Sequence, residues 1–365
     1  MIIERNALVD ALAIVRRHAD MKSPIPILSH VRLEAGGGKL TLLAHALDWC
    51  ATTSAPAEGG LAATCVAVEA LYRIANGFPK GASHLTLEID REMLIVKCGR
   101  SRYRLPTLPA VNMPDPLTPG EPHTSCRLTE AQVGMLFDLP RFAVETGVAR
   151  YYLCGIHLDG DARNLQACAT DGHRLVLVKS DVPWDGITSI IVPTRACEEI
   201  VRLAGDDGLA LTWSERILSV TDGVTTYATK LVDGRFPDYR RVIPDYAGAG
   251  WLECDPAELC GALDRLMAVA GPAIALGWEA DPSTLLLTCP EGGREEIACS
   301  GEGKAGRIGL SPGQMRELAG AFTGDLMRLR YLGPDQPLGA TDPAQPGLLV
   351  IQMPRFMASA KMEAA

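Results

Sequence analysis

The sequence predicts an α+β protein built from three successive units of similar design. In each unit a helical stretch is followed by short segments in which apolar and polar residues alternate, then by a second helical stretch and further alternating segments. Corresponding helices recur about 120 residues apart. The 365 residues, of which 47% are hydrophobic and 22% charged, suit two or three globular domains.

The first helix of each unit begins at a residue suited to a helix N-terminus. Asn6, Thr129 and Asp255 each precede an amphipathic stretch, and such side chains accept hydrogen bonds from the first free backbone amides. Pro256, directly after Asp255, is tolerated at a first helical position. We therefore expect helices from these three points.

The second helices begin near Ala67, Pro193 and Ser311. Each is followed by a glycine-containing break and then by a strand-type segment, at 84–89, 209–213 and 326–331. Further short strands are predicted between the two helices of each unit, at 39–44, 164–169 and 284–288. Each unit is thus expected to pack two helices on antiparallel sheets.

Proline and glycine mark the boundaries between the units. Six prolines lie from Pro106 to Pro122, and a short glycine-containing break occupies 244–250. We therefore predict three domains, at residues 1–122, 123–248 and 249–365.

Composition excludes several classes of protein. No window approaches the roughly 18 apolar residues of a transmembrane helix, and the first residues do not resemble a signal peptide, so we expect a cytoplasmic protein. The eleven cysteines contain no Cys-x-x-Cys pair, so neither a zinc ribbon nor a redox dithiol is supported. The net charge of −9 argues against a diffuse basic surface for nucleic acid, although positive charge can still be concentrated locally.

Two segments, 169–175 (Ala-Thr-Asp-Gly-His-Arg-Leu) and 231–244 (Leu-Val-Asp-Gly-Arg-Phe-Pro-Asp-Tyr-Arg-Arg-Val-Ile-Pro), invite opposite interpretations. Taken alone, Asp171 and His173 suggest a hydrolase or a phosphate site. However, the Asp-Gly pair favours a turn, and the sequence contains no Gly-x-Ser-x-Gly, His-Glu-x-x-His or phosphate-loop motif. A hydrolase using Asp171 and His173 is therefore a remote alternative.

As a pair about 60 residues apart, the two segments resemble the second domain of the bacterial DNA polymerase III β subunits, the sliding-clamp family. Segments 23–31, 99–110 and 149–156 are also similar to that family. The third unit departs from it: 271–277 replaces a charged segment, and the chain continues beyond the family's usual Met-Pro-containing end.

The resemblance implies the DNA-clamp fold in a ring-shaped, head-to-tail homodimer. Such a ring encircles double-stranded DNA without reading its sequence and tethers the DNA polymerase III catalytic subunit, the clamp loader and other proteins with clamp-binding motifs. It implies a processivity factor that catalyses nothing and needs no cofactor or metal. The altered third unit motivates an alternative, a divergent clamp paralogue with a role in repair or antibiotic resistance.

The resemblance also assigns residues to three sites. The partner-peptide pocket comprises Leu153, Thr170, Gly172, His173, Arg174, Leu175, Pro237, Arg241, Val242, Val350, Met353 and Pro354. The candidates for facing DNA are Lys22, Arg73, Lys80, Arg141, Arg195 and Arg202. The dimer interface would join Arg100, Arg102 and Arg104 on one strand edge to Glu295 and Glu296 on another, with Val269 as an apolar contact.

Overall fold

The computed structural model describes residues 1–79, 83–121, 123–161, 164–184, 189–280 and 282–356. The chain divides into two compact units. The first contains Met1–Val133 and Glu199–Leu231, and the second contains Gly134–Glu198 and Val232–Ala365. The predicted second domain therefore contributes residues to both units.

Strands and helices alternate along the chain as the sequence predicts. Up to residue 133 the elements are β1 (Ile2–Glu4), α1 (Arg5–Arg16), β2 (His30–Gly36), β3 (Lys39–His45), β4 (Trp49–Glu58), β5 (Leu61–Ala67), α2 (Val68–Gly77), β6 (His84–Asp90), β7 (Met93–Cys98), β8 (Ser101–Pro109), β9 (Thr124–Leu128) and α3 (Glu130–Val133). Next come β10 (Gly155–Asp161), β11 (Asn164–Thr170), β12 (Arg174–Lys179), β13 (Ile190–Pro193), α4 (Thr194–Leu203), β14 (Leu209–Trp213), β15 (Ile217–Thr221) and β16 (Thr226–Lys230). The last group is β17 (Gly250–Cys254), α5 (Pro256–Leu266), β18 (Ile274–Trp278), β19 (Thr284–Thr288), β20 (Arg294–Glu302), β21 (Gly306–Leu310), α6 (Pro312–Gly320), β22 (Met327–Tyr331), β23 (Leu338–Asp342) and β24 (Gln345–Gln352).

One antiparallel sheet runs through each unit. In the first unit the strand order is β1-β6-β7-β8-β5-β2-β3-β4-β16-β15-β14-β9. In the second it is β13-β10-β11-β12-β24-β23-β22-β17-β20-β19-β18-β21. Pairing of β4 with β16 explains why 199–231 belongs to the first unit, since backbone hydrogen bonds tie the two segments into a continuous sheet.

The helices of each unit cover a buried apolar core. Leu8 and Leu12 of α1 and Leu71 of α2 belong to the same buried cluster as Leu40 and Leu42 of β3. In the second unit α5 packs against α6, and the buried sides of these helices carry leucine, alanine and methionine. Apolar residues at intervals of three and four, as in the predicted helices, account for this packing.

Local signals set the predicted start of the first helix correctly in two of the three units. Asp255 Oδ1 accepts hydrogen bonds from the backbone amides of Ala257, at 2.7 Å, and Glu258, at 3.4 Å. Thr129 and Gln132 form a reciprocal capping box, with Thr129 N donating to Gln132 Oε1 at 2.9 Å and Gln132 N donating to Thr129 Oγ1 at 3.3 Å. Beyond α3 this segment continues as a π turn at Gly134–Asp138 and a 3-10 turn at Leu139–Ala143.

The prediction that Asn6 caps the first helix was wrong. Helix α1 begins one residue earlier, at Arg5, with Glu4 at the capping position and no capping side-chain hydrogen bond there. Asn6 instead accepts a hydrogen bond from Arg5 Nη1 at 2.8 Å, and Arg5 Nη2 reaches the backbone oxygen of Asn76 at 2.7 Å. A contact between distant segments thus outweighs the local signal.

Two strand segments, one in β8 and one in β20, each have one edge that pairs with no strand in the part of the chain that the structure describes. Residues 101–106 of β8 pair with β7 on one side, and only 107–109 pair with β5 on the other. Residues 294–298 of β20 pair with β19, while 299–302 pair with β17. Over the same described residues, no helix is long and apolar enough to cross a membrane.

We expect Asp255→Ala to lower the free energy of unfolding by about 1 kcal/mol, because two amides at the start of α5 lose their acceptor. Urea unfolding measures the change. Asp255→Asn retains an acceptor and should recover most of it. Asp10→Ala, which removes an exposed carboxylate from within α1, is the matched control and should change the free energy of unfolding little. Equal losses in Asp255→Ala and Asp10→Ala would contradict the capping role.

Candidate functional site

The two segments singled out in the sequence meet at one apolar cluster in the second unit. Leu175, from 169–175, and Phe236 and Tyr239, from 231–244, belong to it together with Leu153. The cluster's remaining buried members are Cys168, Leu177, Ile191 and Ile351, with Tyr152, Val232, Ile243 and Leu349 packed against them. Leu153 and Leu175 were predicted for the pocket, whereas the aromatic residues and Ile351 were missed.

Strand β24 forms the third wall of this cluster, and its register corrects one predicted residue. Leu175 lies opposite Ile351, whereas Val176 lies opposite Val350. Because successive side chains of a strand point to opposite faces, Val350 faces away from the cluster, where it is 0% exposed. The assignment of Val350 to the pocket wall was therefore wrong, and Ile351 occupies that place.

Asp171 organises a turn. Its Oδ1 accepts hydrogen bonds from the backbone amides of His173, at 2.8 Å, and Arg174, at 3.0 Å. Gly172 has a φ of +85°, which a residue with a side chain rarely adopts, and a Cβ there would lie 2.7 Å from Nη1 of Arg150. This carboxylate is committed to backbone amides, as in a turn, and the arrangement does not favour the hydrolase interpretation.

Arg174 ties the turn to its surroundings. Its Nε lies 3.0 Å from Asp171 Oδ2, its Nη1 pairs with Glu317 of α6, and its guanidinium carbon lies 5.3 Å from the ring centre of Phe142. Only 11% of the side chain is exposed. Arg174 therefore positions the turn through several contacts within the chain.

The end of β24 is joined to the same turn. Met353 N donates to the backbone oxygen of His173 at 2.8 Å, and Gln352 Nε2 donates to that oxygen at 3.3 Å and to Gln314 Oε1 at 3.0 Å. His173 and Met353 are exposed and Pro354 is half-buried. These contacts place Met353 beside His173.

The segment 236–242 is held by a polar network that the sequence analysis missed. Tyr239 Oη lies 3.0 Å from Asp159 Oδ1 and 3.2 Å from Gln166 Oε1, and Arg240 lies 2.9 Å from Asp159 Oδ2. His157 stacks on Phe236, with ring centres 4.5 Å apart. The alternation of His157 and Asp159 on a strand was the available signal, because it places both on one face.

The electrostatics of this network are set by burial and by Asp159. Burial acts to raise the pKa of the Asp159 carboxyl, but His157, Tyr239 and Arg240 outweigh it, so the pKa is lower than usual. Burial, together with the charge of Asp159, raises the pKa of the Tyr239 hydroxyl well above its ordinary value. The hydroxyl therefore stays protonated and donates to an ionised carboxylate.

Of the remaining predicted pocket residues, three are exposed in segment 236–242 and one is the last residue of β11, at the turn. Pro237 and Arg241 are exposed, and Arg241 Nε lies 3.3 Å from Asp238 Oδ2. Val242 is 57% exposed although it is apolar. Thr170 Oγ1 accepts from Gly172 N at 3.1 Å and donates to the backbone oxygen of Arg174 at 2.6 Å, which places Thr170 within the turn.

The cationic candidates mostly have carboxylate neighbours. Arg73 pairs with Glu69, Arg141 with Asp138 and Glu198, and Arg202 with Glu199. Lys22 and Arg195 are exposed, at the loop after α1 and at the start of α4. Lys80 lies outside the described residues. The positive charge of Arg73, Arg141 and Arg202 is thus partly neutralised.

Four of the six interface candidates lie on the two strands that have open edges. Arg102 and Arg104 belong to β8, directly after Arg100, and Arg104 Nη2 lies 3.6 Å from Asp90 Oδ2. On β20, Glu295 receives two hydrogen bonds from Arg265, at 3.0 and 2.7 Å, and Glu296 pairs with Arg294. Val269, after α5, is exposed.

Comparison with known proteins identifies the family. The model of the DNA polymerase III beta subunit N-terminal domain matches residues 1–117, and that of its central domain matches 128–238. The chain is 32% identical over 371 residues to the beta sliding clamp of Caulobacter vibrioides, covering 97% of this chain and 99% of that protein. The chain belongs to the β sliding clamp family.

Other sliding clamps are similar to this chain over almost its whole length. The Pseudomonas putida clamp is 31% identical over 340 residues, covering 90% of this chain and 91% of that protein. The Caulobacter crescentus pol III beta structure superposes with a TM-score of 0.86 at 30% identity, covering 98% of this chain and 99% of that chain. The DNA polymerase III subunit beta of Pseudomonas aeruginosa superposes with a TM-score of 0.88 at 26% identity, covering 98% and 99%.

These matches confirm the predicted fold class and the predicted function of a DNA sliding clamp. The family is that of the processivity subunit of DNA polymerase III. A divergent paralogue with another role is not favoured by these similarities, and neither is a hydrolase.

We expect Tyr239→Phe to lower the free energy of unfolding by about 1–3 kcal/mol, because the half-buried Asp159 carboxylate loses a donor. Urea unfolding at neutral pH measures the loss. The matched control Tyr152→Phe removes a hydroxyl from a ring packed on the same cluster and should cost less.

The loss of unfolding free energy in Tyr239→Phe should shrink at low pH. A carboxylate whose pKa is depressed in the folded state stabilises the fold above its unfolded pKa, about 3.9 for aspartate, and this stabilisation is lost as the pH falls through the folded value. Wild type and Tyr239→Phe should therefore converge below about pH 4. A deficit that stays constant with pH would show that the hydroxyl does not serve the ionised carboxylate.

Proposed function

We propose that two copies of this chain close head to tail into a ring that encircles duplex DNA. The ring tethers the DNA polymerase III catalytic subunit, the clamp loader and other proteins with clamp-binding motifs. Each chain would contribute three domains, at 1–122, 123–248 and 249–365. The protein acts in the cytoplasm as a non-catalytic tether, and it raises processivity by keeping the polymerase at high local concentration.

The observation that carries this proposal is the meeting of 169–175, 231–244 and the end of β24 at one apolar cluster with an exposed rim. Buried leucine and isoleucine side chains form the floor, and exposed Val242, Pro237 and Met353 form the rim. An apolar surface with a few polar groups suits the apolar side chains of a short peptide, and exposed Arg241 can set its direction.

Ligand binding by relatives supports a pocket in this family. The Pseudomonas aeruginosa and Bartonella birtlesii clamps have both been solved bound to griselimycin. We propose that the partner peptides of this chain occupy the surface formed by Leu153, Leu175, Ile351, Pro237, Val242 and Met353.

The open strand edges support the head-to-tail contact. The edge of β8 at 101–106 and the edge of β20 at 294–298 each leave backbone donors and acceptors facing outward. Pairing them between copies satisfies those groups and hides two edges that otherwise favour aggregation. Arg100, Arg102 and Arg104 would face Glu295 and Glu296, and Val269 would supply an apolar contact.

The DNA contacts would be weak and insensitive to sequence. Lys22, Arg73, Arg141, Arg195 and Arg202 are proposed to reach phosphates, and Lys80 is a further candidate. Carboxylates already lie beside Arg73, Arg141 and Arg202, which lowers the local positive charge. Contacts to phosphate carry no sequence information and weaken with salt, as a ring that slides requires.

We expect Val242→Ala to weaken partner-peptide binding about 5- to 30-fold, since an exposed apolar anchor in a pocket contributes about 1–2 kcal/mol. Fluorescence anisotropy with a labelled synthetic peptide carrying the clamp-binding motif of the polymerase III catalytic subunit measures the affinity. Val111→Ala removes a still more exposed valine, 89% accessible, from the first unit and is the matched control. Unchanged affinity in Val242→Ala, or an equal loss in Val111→Ala, would exclude this pocket.

We expect Arg102→Glu to shift the protein from dimer towards monomer, because the substitution places like charges across the proposed edge contact. Sedimentation equilibrium measures the mass, and the dissociation constant of the dimer should rise at least tenfold. Arg216→Glu, the same change at an exposed position in the turn between β14 and β15, should leave the dimer intact. Adding Glu296→Arg to Arg102→Glu should restore dimerisation. A dimer unaffected by Arg102→Glu would place the contact elsewhere.

A further inference from the structure

Two cysteines of the second unit lie directly opposite each other on neighbouring antiparallel strands. Cys254 is the last residue of β17, and its partner in the register with β20 is Cys299. Both are free thiols. Cross-strand partners project to the same face of a sheet, so the two thiols are neighbours although 45 positions separate them in the sequence.

The backbone geometry brings these two residues particularly close. The amide of Cys299 donates to the oxygen of Ser283 at 3.1 Å, on the β19 side of β20. In an antiparallel strand the amide and carbonyl of one residue point the same way, so Cys254 and Cys299 form a pair without mutual backbone hydrogen bonds. Such pairs have a Cα–Cα separation of about 4.5 Å. Disulfides occupy a range of about 4.4–6.8 Å.

The pair two residues further along the strands shows the same close approach. Gly301 lies opposite Leu252, and a Cβ at Gly301 would lie 2.3 Å from the backbone oxygen of Trp251. Only glycine fits at this position. The strands are therefore held close together within two residues of the cysteine pair.

We propose that Cys254 and Cys299 form a redox modification site, a cross-strand dithiol that closes to a disulfide by exchange with a low-molecular-weight disulfide. The Cys299 thiolate attacks one sulfur of the small disulfide and releases one small thiolate, leaving a mixed disulfide. The Cys254 thiolate then attacks Cys299 Sγ and releases the second. The two cysteines lose two electrons and two protons, and the small disulfide is reduced to two thiols.

Exposure sets the order of the two steps. Cys299 is half-buried and accessible to a small reagent, whereas Cys254 is buried. Burial raises the pKa of both thiols, that of Cys254 to about 12. Since the thiolate is the attacking species, oxidation should be slow at neutral pH and faster as the pH rises.

With this bond, helix α5 would be fastened to β20 at both of its ends. Cys254 directly precedes Asp255, the capping residue of α5, and the other end of α5 is tied to β20 by Arg265 and Glu295. A disulfide would therefore fix the start of α5 to β20. The site does not depend on ring formation, because every residue in it belongs to one chain.

The test treats the full-length protein with oxidised glutathione, quenches free thiols by alkylation, and maps cross-linked peptides by mass spectrometry without reduction. We expect one intramolecular Cys254–Cys299 bond, reversed by dithiothreitol, and a melting temperature raised by roughly 5 °C or more. Cys299→Ser should abolish both changes. Cys260→Ser, which removes another half-buried thiol, on α5, is the matched control and should retain both.

Several outcomes would overturn the proposal. These are a stable glutathione adduct on Cys299 without cross-linking, a bond that joins other cysteines, or equal cross-linking in wild type and Cys299→Ser. Absence of reaction at pH 9, where more thiolate is present, would overturn it as well. Circular dichroism of Cys299→Ser before oxidation shows whether the variant is folded. If Cys299→Ser is not folded, Cys299→Ala is used in its place.

Discussion

The backbone pairing of β12 with β24 is the interaction on which the candidate binding site depends. It places Ile351 beside Leu175, and it ends where Met353 donates to the backbone oxygen of His173. A shift of one residue would turn Val350 inward and Ile351 outward, which would exchange the side chains that form the wall. The site is therefore specified by a sheet register that joins the middle of the chain to its C-terminal strand.

Charged residues in and beside segments 169–175 and 231–244 act mainly as supports for this register. Asp171 holds the turn through backbone amides, Arg174 links that turn to α6, and Asp159 anchors Tyr239. The groups left at the surface are apolar or singly charged, such as Val242, Met353 and Arg241. A site of this kind suits binding of a peptide through apolar contact, and the carboxylates of Asp159 and Asp171 are already committed to structure.

Sequence reasoning succeeded where the cause was local. The helix starts at Asp255 and Thr129 and the strand at 209–213 all depend on neighbours within a few residues, and all are present. It failed where distant segments decide the outcome. Arg5 reaches Asn76 and displaces the predicted role of Asn6, and the register of β24 excludes Val350. The facing of Cys254 and Cys299 likewise follows from strand pairing, which no local spacing reveals.

Retention on circular DNA distinguishes a ring from a protein that adheres to the DNA surface. The protein is loaded onto nicked circular duplex by its cognate clamp loader, and the complex is separated by gel filtration before and after a restriction enzyme linearises the DNA. A ring that encircles DNA co-elutes with the circle at moderate salt and is lost from the linear form, because it slides off the ends. Equal retention on both forms, or equal loss from both, would contradict the encircling ring.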